Sequence, residues 1–159
     1  DYEITNNNAS EIMLIYNVNT SNGQINFKSS DLSGSTKNLV IRGDINKSHN
    51  VYLNAYIDFY GSNYSDNITT VSYHSKIYAL GGDDTILNSG QDKLIYGGAG
   101  DDIITATNAW STIYGEAGED TINVSGQANY VNGGADTDTI KVTGGSYHTI
   151  YSPDGNDIL

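Results

Sequence analysis

Apolar residues recur along this chain at a fixed step. Ile77-Tyr78, Ile95-Tyr96 and Ile113-Tyr114 lie 18 residues apart, with Phe59-Tyr60 before them and Val131-Asn132 and Ile150-Tyr151 after. A second column, Ile68, Ile86, Ile104, Ile122 and Ile140, falls between these pairs with the same 18-residue step. Within each short run apolar and polar residues alternate, the period of a strand with one face inside. Two short β-branched strands and two turns in 18 residues suit a flat coil and leave no room for a helix. The pattern predicts an all-β fold: a right-handed parallel β-solenoid of about 18 residues per coil, stacked at the inter-strand spacing of ~4.7–4.9 Å. The inward Ile ladders then make a thin core that no single coil could bury alone.

The turns carry the chemistry. Asp66, Asp84, Asp102, Asp120, Asp138 and Asp157 each close a turn, at spacings of 18, 18, 18, 18 and 19. Five residues before each stands Gly61, Ala79, Gly97, Gly115, Gly133 or Ser152. Two residues before each stands Tyr64, Gly82, Gly100, Gly118, Asp136 or Gly155. The six turns hold 12 of the 19 acids and none of the seven basic residues. Asp and Gly form turns for local reasons, but stacking sets the aspartates in a column. Two charges about 5 Å apart repel by roughly 3 kcal/mol at an effective dielectric of 20. A hard cation between successive turns removes that cost. Calcium fits best, because it takes six to eight oxygens, backbone carbonyls included, in forgiving geometry. Magnesium demands a tighter octahedron, and zinc prefers Cys or His, of which the first is absent and the second does not share the period.

The stretch Gly97-Gly98-Ala99-Gly100-Asp101-Asp102-Ile103-Ile104-Thr105 matches the nonapeptide GGxGxDxUx at every fixed position. The chain therefore resembles the RTX (repeats-in-toxin) β-roll, over about 61–159. Other turns depart from the motif: 79–84 is ALGGDD, 115–120 GEAGED, 133–138 GGADTD and 152–157 SPDGND. The intervening half-coils 88–96, 106–114, 124–132 and 142–151 lack the flanked Asp. Calcium is thus expected along one edge only. Tyr64 stands where the first gap wants Gly, which leaves about four ions. The resemblance implies a ligand set: side chains of Asp66, Asp84, Asp102, Asp120, Asp138 and Asp157. It adds carbonyls from turn residues such as Gly82, Gly97, Ala99, Gly100, Gly115, Ala117, Gly118, Gly133, Ala135 and Gly155.

The resemblance also implies a function. The module would fold on binding calcium, and would be a structural, secretion-coupled part of a large type I-secreted bacterial toxin or adhesin, extracellular or on the cell surface. The start at Asp1-Tyr2-Glu3 suggests a piece of a larger parent chain. The alternative is a binding module for glycan or host surface. It would use the outward Tyr ladder (Tyr60, Tyr78, Tyr96, Tyr114, Tyr151), with Tyr78, Tyr96, Tyr114 and Trp110 as candidate ligand contacts, or the N-terminal region. Packing across strands is the favoured account of such a ladder, and of Trp110.

Residues 1–42 carry no acidic turn. Ile12–Tyr16, Ile25–Phe27 and Leu39–Ile41 read as strands. They are expected to form a β-rich N-terminal cap or non-calcium coils, since an open solenoid edge pairs with other chains. Ile41-Arg42-Gly43 precedes Phe59-Tyr60-Gly61 by one period, so 43–60 reads as a degenerate coil with Ser48 at its sixth position. The β-roll would then span 43–159, with calcium repeats in 61–159.

Composition adds exclusions. The 159 residues carry a net charge of −12, which argues against nucleic acid or an anionic membrane as partner. No Cys means no disulfide and no thiolate ligand. No apolar run reaches the ~18 residues of a membrane span. No nucleophile elbow, HExxH or phosphate loop is present, and every clustered Asp is committed to a turn, so an enzyme is not expected. Arg42-Gly43-Asp44 and the sequons at Asn8, Asn19, Asn46, Asn63, Asn67 and Asn123 read as coincidence in an Asn- and Ser-rich chain.

Overall fold

A computed structural model describes residues 14–18, 24–28, 39–43, 48–54 and 57–159. The described residues form strands and turns, and the strands alternate between two parallel sheets. One sheet has eight strands: β1 (Leu14–Val18), β3 (Leu39–Gly43), β5 (Ile57–Ser62), β7 (Lys76–Gly81), β9 (Leu94–Ala99), β11 (Thr112–Ala117), β13 (Tyr130–Ala135) and β15 (Thr149–Tyr151). The other has seven: β2 (Gln24–Lys28), β4 (Asn50–Asn54), β6 (Asn67–Thr70), β8 (Thr85–Asn88), β10 (Ile103–Ala106), β12 (Thr121–Val124) and β14 (Thr139–Val142). Each strand pairs with the one a coil away, as a solenoid requires. Ile104 lies opposite both Ile86 and Ile122, and Ile113 opposite Ile95 and Val131. The expected coil of about 18 residues is therefore the observed one.

The two inward columns meet between the sheets. Ile68, Ile86, Ile104, Ile122 and Ile140 face Phe59, Ile77, Ile95, Ile113 and Val131, and none is more than 2 % exposed. Each such side chain contributes about 1.5–3 kcal/mol by burial, but only once its neighbours are stacked. At Leu87-Asn88 the alternation overrides side-chain character. With Ile86 inside, Leu87 faces solvent and Asn88 is buried, donating to Ser111 Oγ at 3.1 Å and accepting the Gly90 N–H at 2.9 Å.

The strand before each acidic turn is longer than the Ile-Tyr pair suggests. In β9, β11 and β13 it runs on through the first three turn residues, pairing Ala99 with Ala117 and Ala117 with Ala135. The first half of the motif is thus ladder, and the sharp corner comes after it.

Of the stretch expected to cap the solenoid, residues 1–13, 19–23 and 29–38 lie outside the described residues, as do Asp44, Asn8, Asn19 and Asn46. In the described part, β1 pairs in parallel with β3, and β2 with β4, in the same two ladders. Ser48, the sixth position of the degenerate coil, is exposed.

Lys93 sits at the corner opposite the acidic turns, 2 % exposed, with Nζ donating to Ser72 Oγ at 2.9 Å. Burial lowers its ammonium to about 7. A base depressed in the fold costs the most stability below its folded pKa, and that cost fades as pH rises toward 10.5. Lys93→Met should therefore raise Tm at pH 6 by several degrees and at pH 10 by less, where about 1 kcal/mol shifts a chain of this size by 2–4 °C. Thermal scans at the two pH values check this.

Candidate metal centre

The six turn-closing aspartates line up on one edge. Asp66, Asp84, Asp102, Asp120 and Asp138 are at most 2 % exposed, and Asp157 is half-buried. A hydrogen-bond relay links them. The N–H of Asp84 donates to Asp102 Oδ1 at 2.8 Å, that of Asp102 to Asp120 Oδ1 at 2.8 Å, and that of Asp120 to Asp138 Oδ1 at 3.0 Å. Asp66 N–H to Asp84 Oδ1 (2.6 Å) and Asp138 N–H to Asp157 Oδ1 (2.8 Å) extend it at both ends. One oxygen of each carboxylate from Asp84 to Asp157 thus tethers its coil to the one before.

The second oxygen has another fate. Oδ2 of Asp84, Asp102 and Asp120 is buried and accepts no hydrogen bond. A buried anionic oxygen without a donor is costly. Burial is the first cause of the raised pKa values, about 8 for Asp84, 6 for Asp102 and 7 for Asp120, with neighbouring carboxylates adding to it. Asp66 and Asp138 are raised as well, again chiefly by burial.

Glycine makes the room. A Cβ at Gly97 would collide with Asp102 Oδ2, one at Gly115 with Asp120 Oδ2, and one at Gly133 with Asp138 Oδ2. Gly82, Gly100, Gly118 and Gly155 take left-handed φ values of 93, 125, 124 and 105°. A Cβ on Gly100 would stand 2.5 Å from the Gly82 carbonyl oxygen. Asp136 holds the same position at φ 76°, a conformation Asp tolerates better than most residues. The Ala99 and Ala117 carbonyls accept the Gly82 and Gly100 N–H groups at 2.8 and 2.9 Å, which leaves each a second lone pair. Ala135 is exposed at the rim of the last such turn.

Among the described residues no three acidic or histidine side chains converge on one point. An ion on this edge must therefore draw on carbonyls as well as carboxylates, the mixed oxygen set that suits calcium. The orphaned Oδ2 atoms and the glycine cradles fit such an ion.

The two ends of the file differ from its middle. Both Asp66 oxygens are satisfied by protein: Oδ1 accepts the His49 N–H at 2.5 Å and Ser62 Oγ at 3.2 Å, and Oδ2 the Ser62 N–H at 2.8 Å. Ser152 Oγ donates to Asp138 Oδ2 at 3.3 Å. Neither His49 nor Ser62 was marked by the repeat, because one lies a whole coil away and the other looks like an ordinary turn residue.

The Tyr ladder exists as a stack. Tyr60–Tyr78, Tyr78–Tyr96 and Tyr96–Tyr114 have ring centroids 4.6, 5.0 and 4.9 Å apart and planes within 11°. Tyr130, not Tyr151, meets Tyr114, at 6.0 Å and 54°. In the stack each ring covers the next one's face, so Tyr78 and Tyr96 offer edges and hydroxyls outward. Trp110 lies on the opposite edge, 58 % exposed.

A family model, described as the RTX calcium-binding nonapeptide repeat (4 copies), matches residues 60–92, 94–108 and 105–140. No curated protein and no solved structure matches the chain.

Proposed function

Because the chain belongs to the family of RTX calcium-binding nonapeptide repeats, we propose that it is a module whose folding is coupled to calcium. Its repeats bind about four ions. In our reading these lie between the turns 79–84, 97–102, 115–120, 133–138 and 152–157. Asp84, Asp102, Asp120, Asp138 and Asp157 give carboxylate oxygens, and turn residues from Gly82 to Gly155 give carbonyls. The observation that carries this is the run of buried, unpartnered Oδ2 atoms on Asp84, Asp102 and Asp120. Calcium supplies the positive charge they lack, so binding free energy becomes folding free energy. Asp66 serves as the closed end of the file rather than as a ligand. We extend the reading to a structural, secretion-coupled part of a larger secreted bacterial toxin or adhesin, with 1–42 as a cap or non-calcium coils. The family resemblance of Gly97–Thr105 supports that extension. A calcium-bound carboxylate is a poor general base, and we assign the module no catalysis.

Paired variants test the placement. Asp102 borders two gaps, so Asp102→Ala should lower the calorimetric stoichiometry from about four calcium ions toward two. Asp66→Ala should keep the full count. It strands the donors of His49 and Ser62, at a cost of about 1–3 kcal/mol. Spread over four ions, even 3 kcal/mol is about 0.75 each, a shift in the calcium midpoint of roughly threefold to fourfold. Equal loss of ions in both variants would refute the assignment.

A further inference from the structure

The edge opposite the aspartate file is built from the turns 71–75, 89–93, 107–111, 125–129 and 143–148. In each, one residue that is not glycine takes a left-handed backbone: His74 (φ 53°), Asp92 (φ 54°), Trp110 (φ 59°), Ala128 (φ 52°) and Tyr147 (φ 64°). Glycine would adopt that conformation without strain, so bulky aromatics are not explained by turn geometry. The turns are locked in register. The N–H groups of His74, Asp92, Trp110 and Ala128 donate to the carbonyls of Gln91, Ala109, Gln127 and Ser146 in the next coil, at 3.3, 3.1, 2.9 and 2.8 Å.

These residues form a rigid file that advances by the inter-strand step. Its large side chains stand in solvent: Trp110 is 58 % exposed, Tyr147 87 % and Tyr73, beside His74, 52 %. Aromatic groups thus recur on every second coil, at steps of about 9–10 Å. Polar groups fill the space between. His74 Nδ1 lies 2.5 Å from Asp92 Oδ2, and Gln127 is exposed.

We propose that this edge binds an extended, neutral, β-linked glycan lying along the solenoid axis. Trp110 and Tyr147 stack on sugar rings, and the His74–Asp92 pair and Gln127 hydrogen-bond hydroxyls. In a flat β-linked chain alternate rings present the same face, which is what aromatic groups on alternate coils can meet. The net charge of −12 repels an anionic polymer. A protein partner would want contiguous apolar area, whereas here polar turns separate the aromatics. The site needs stacked coils, but not any particular ion to stack them.

The chain has a single tryptophan, so Trp110 reports its own contact. In saturating calcium, with circular dichroism confirming the fold, cellohexaose or chitohexaose should change Trp110 emission saturably, and maltohexaose and heparin should not. By calorimetry, Trp110→Gly and Tyr147→Ala should each bind the active hexasaccharide at least tenfold more weakly. Trp110→Gly should keep or raise its thermal midpoint, since glycine suits that backbone. The proposal is overturned if neither β-linked hexasaccharide binds, if Trp110→Gly binds undiminished, or if heparin alone or only a protein partner occupies the edge.

Discussion

Withdrawing calcium with EDTA at pH 8 is expected to abolish most of the far-UV β signal, and calcium, but not equimolar magnesium, to restore it. At that pH Asp102 and Asp120 are ionised in the stacked state and Asp84 about half so, given their pKa values of about 6, 7 and 8. Adjacent charges in the file repel by roughly 3 kcal/mol per pair. Three or four such pairs approach the whole stability of a typical domain, about 5–15 kcal/mol. The opposing burial gain is largely offset by the entropy of ordering the chain, and it depends on the very stacking that the charges resist. Magnesium fails on geometry: it holds its water and wants a strict octahedron, while the turns offer carbonyls in a looser set. A fully ordered spectrum in EDTA would sink the coupling of folding to calcium.

The solenoid was legible because its turn chemistry repeats. Asp, Gly and an Ile-Tyr pair in step through 60–157 admit little but stacked coils, and the observed registers follow that step. The full GGxGxDxUx match at Gly97–Thr105 pointed to calcium for the same reason. What stayed hidden was the division of labour within each carboxylate. That Oδ1 tethers the previous coil while Oδ2 is left bare depends on coil-to-coil backbone geometry, which spacing alone does not carry. The closure of Asp66 by His49 was equally invisible, since it joins residues 17 apart across a degenerate repeat. On the other edge residue types repeat only in part: Ser89-Gly90-Gln91 returns as Ser125-Gly126-Gln127 two coils on, and the positions that follow do not match. Its common feature is a left-handed backbone on His74, Asp92, Trp110, Ala128 and Tyr147, and that has no signature in side-chain chemistry.

Acid should do part of calcium's work while opposing its binding. Carboxylates whose pKa is raised on folding give stability that is full below the unfolded value of 3.8 and is lost as pH climbs through the folded values. For Asp102, Asp120 and Asp84 that loss begins near 3.8 and is complete by about pH 6, 7 and 8 respectively. EDTA-treated protein should therefore regain β structure between pH 8 and pH 5, with no metal present. Over the same interval the proton occupies the oxygen that calcium needs, so the ion's affinity for the stacked form must fall. In the stacked calcium-free form near pH 7 Asp84 is mostly protonated, Asp120 about half and Asp102 scarcely, so filling that form should expel about one to two protons, whereas a chain still unfolded, with its carboxylates near 3.8, should expel almost none. Calorimetry in two buffers of unlike ionisation enthalpy measures that number directly. Zero release from calcium-free protein that circular dichroism shows to be stacked, or a calcium-free chain less ordered at pH 5 than at pH 8, would mean that the buried carboxylates are not what keeps the empty coils apart.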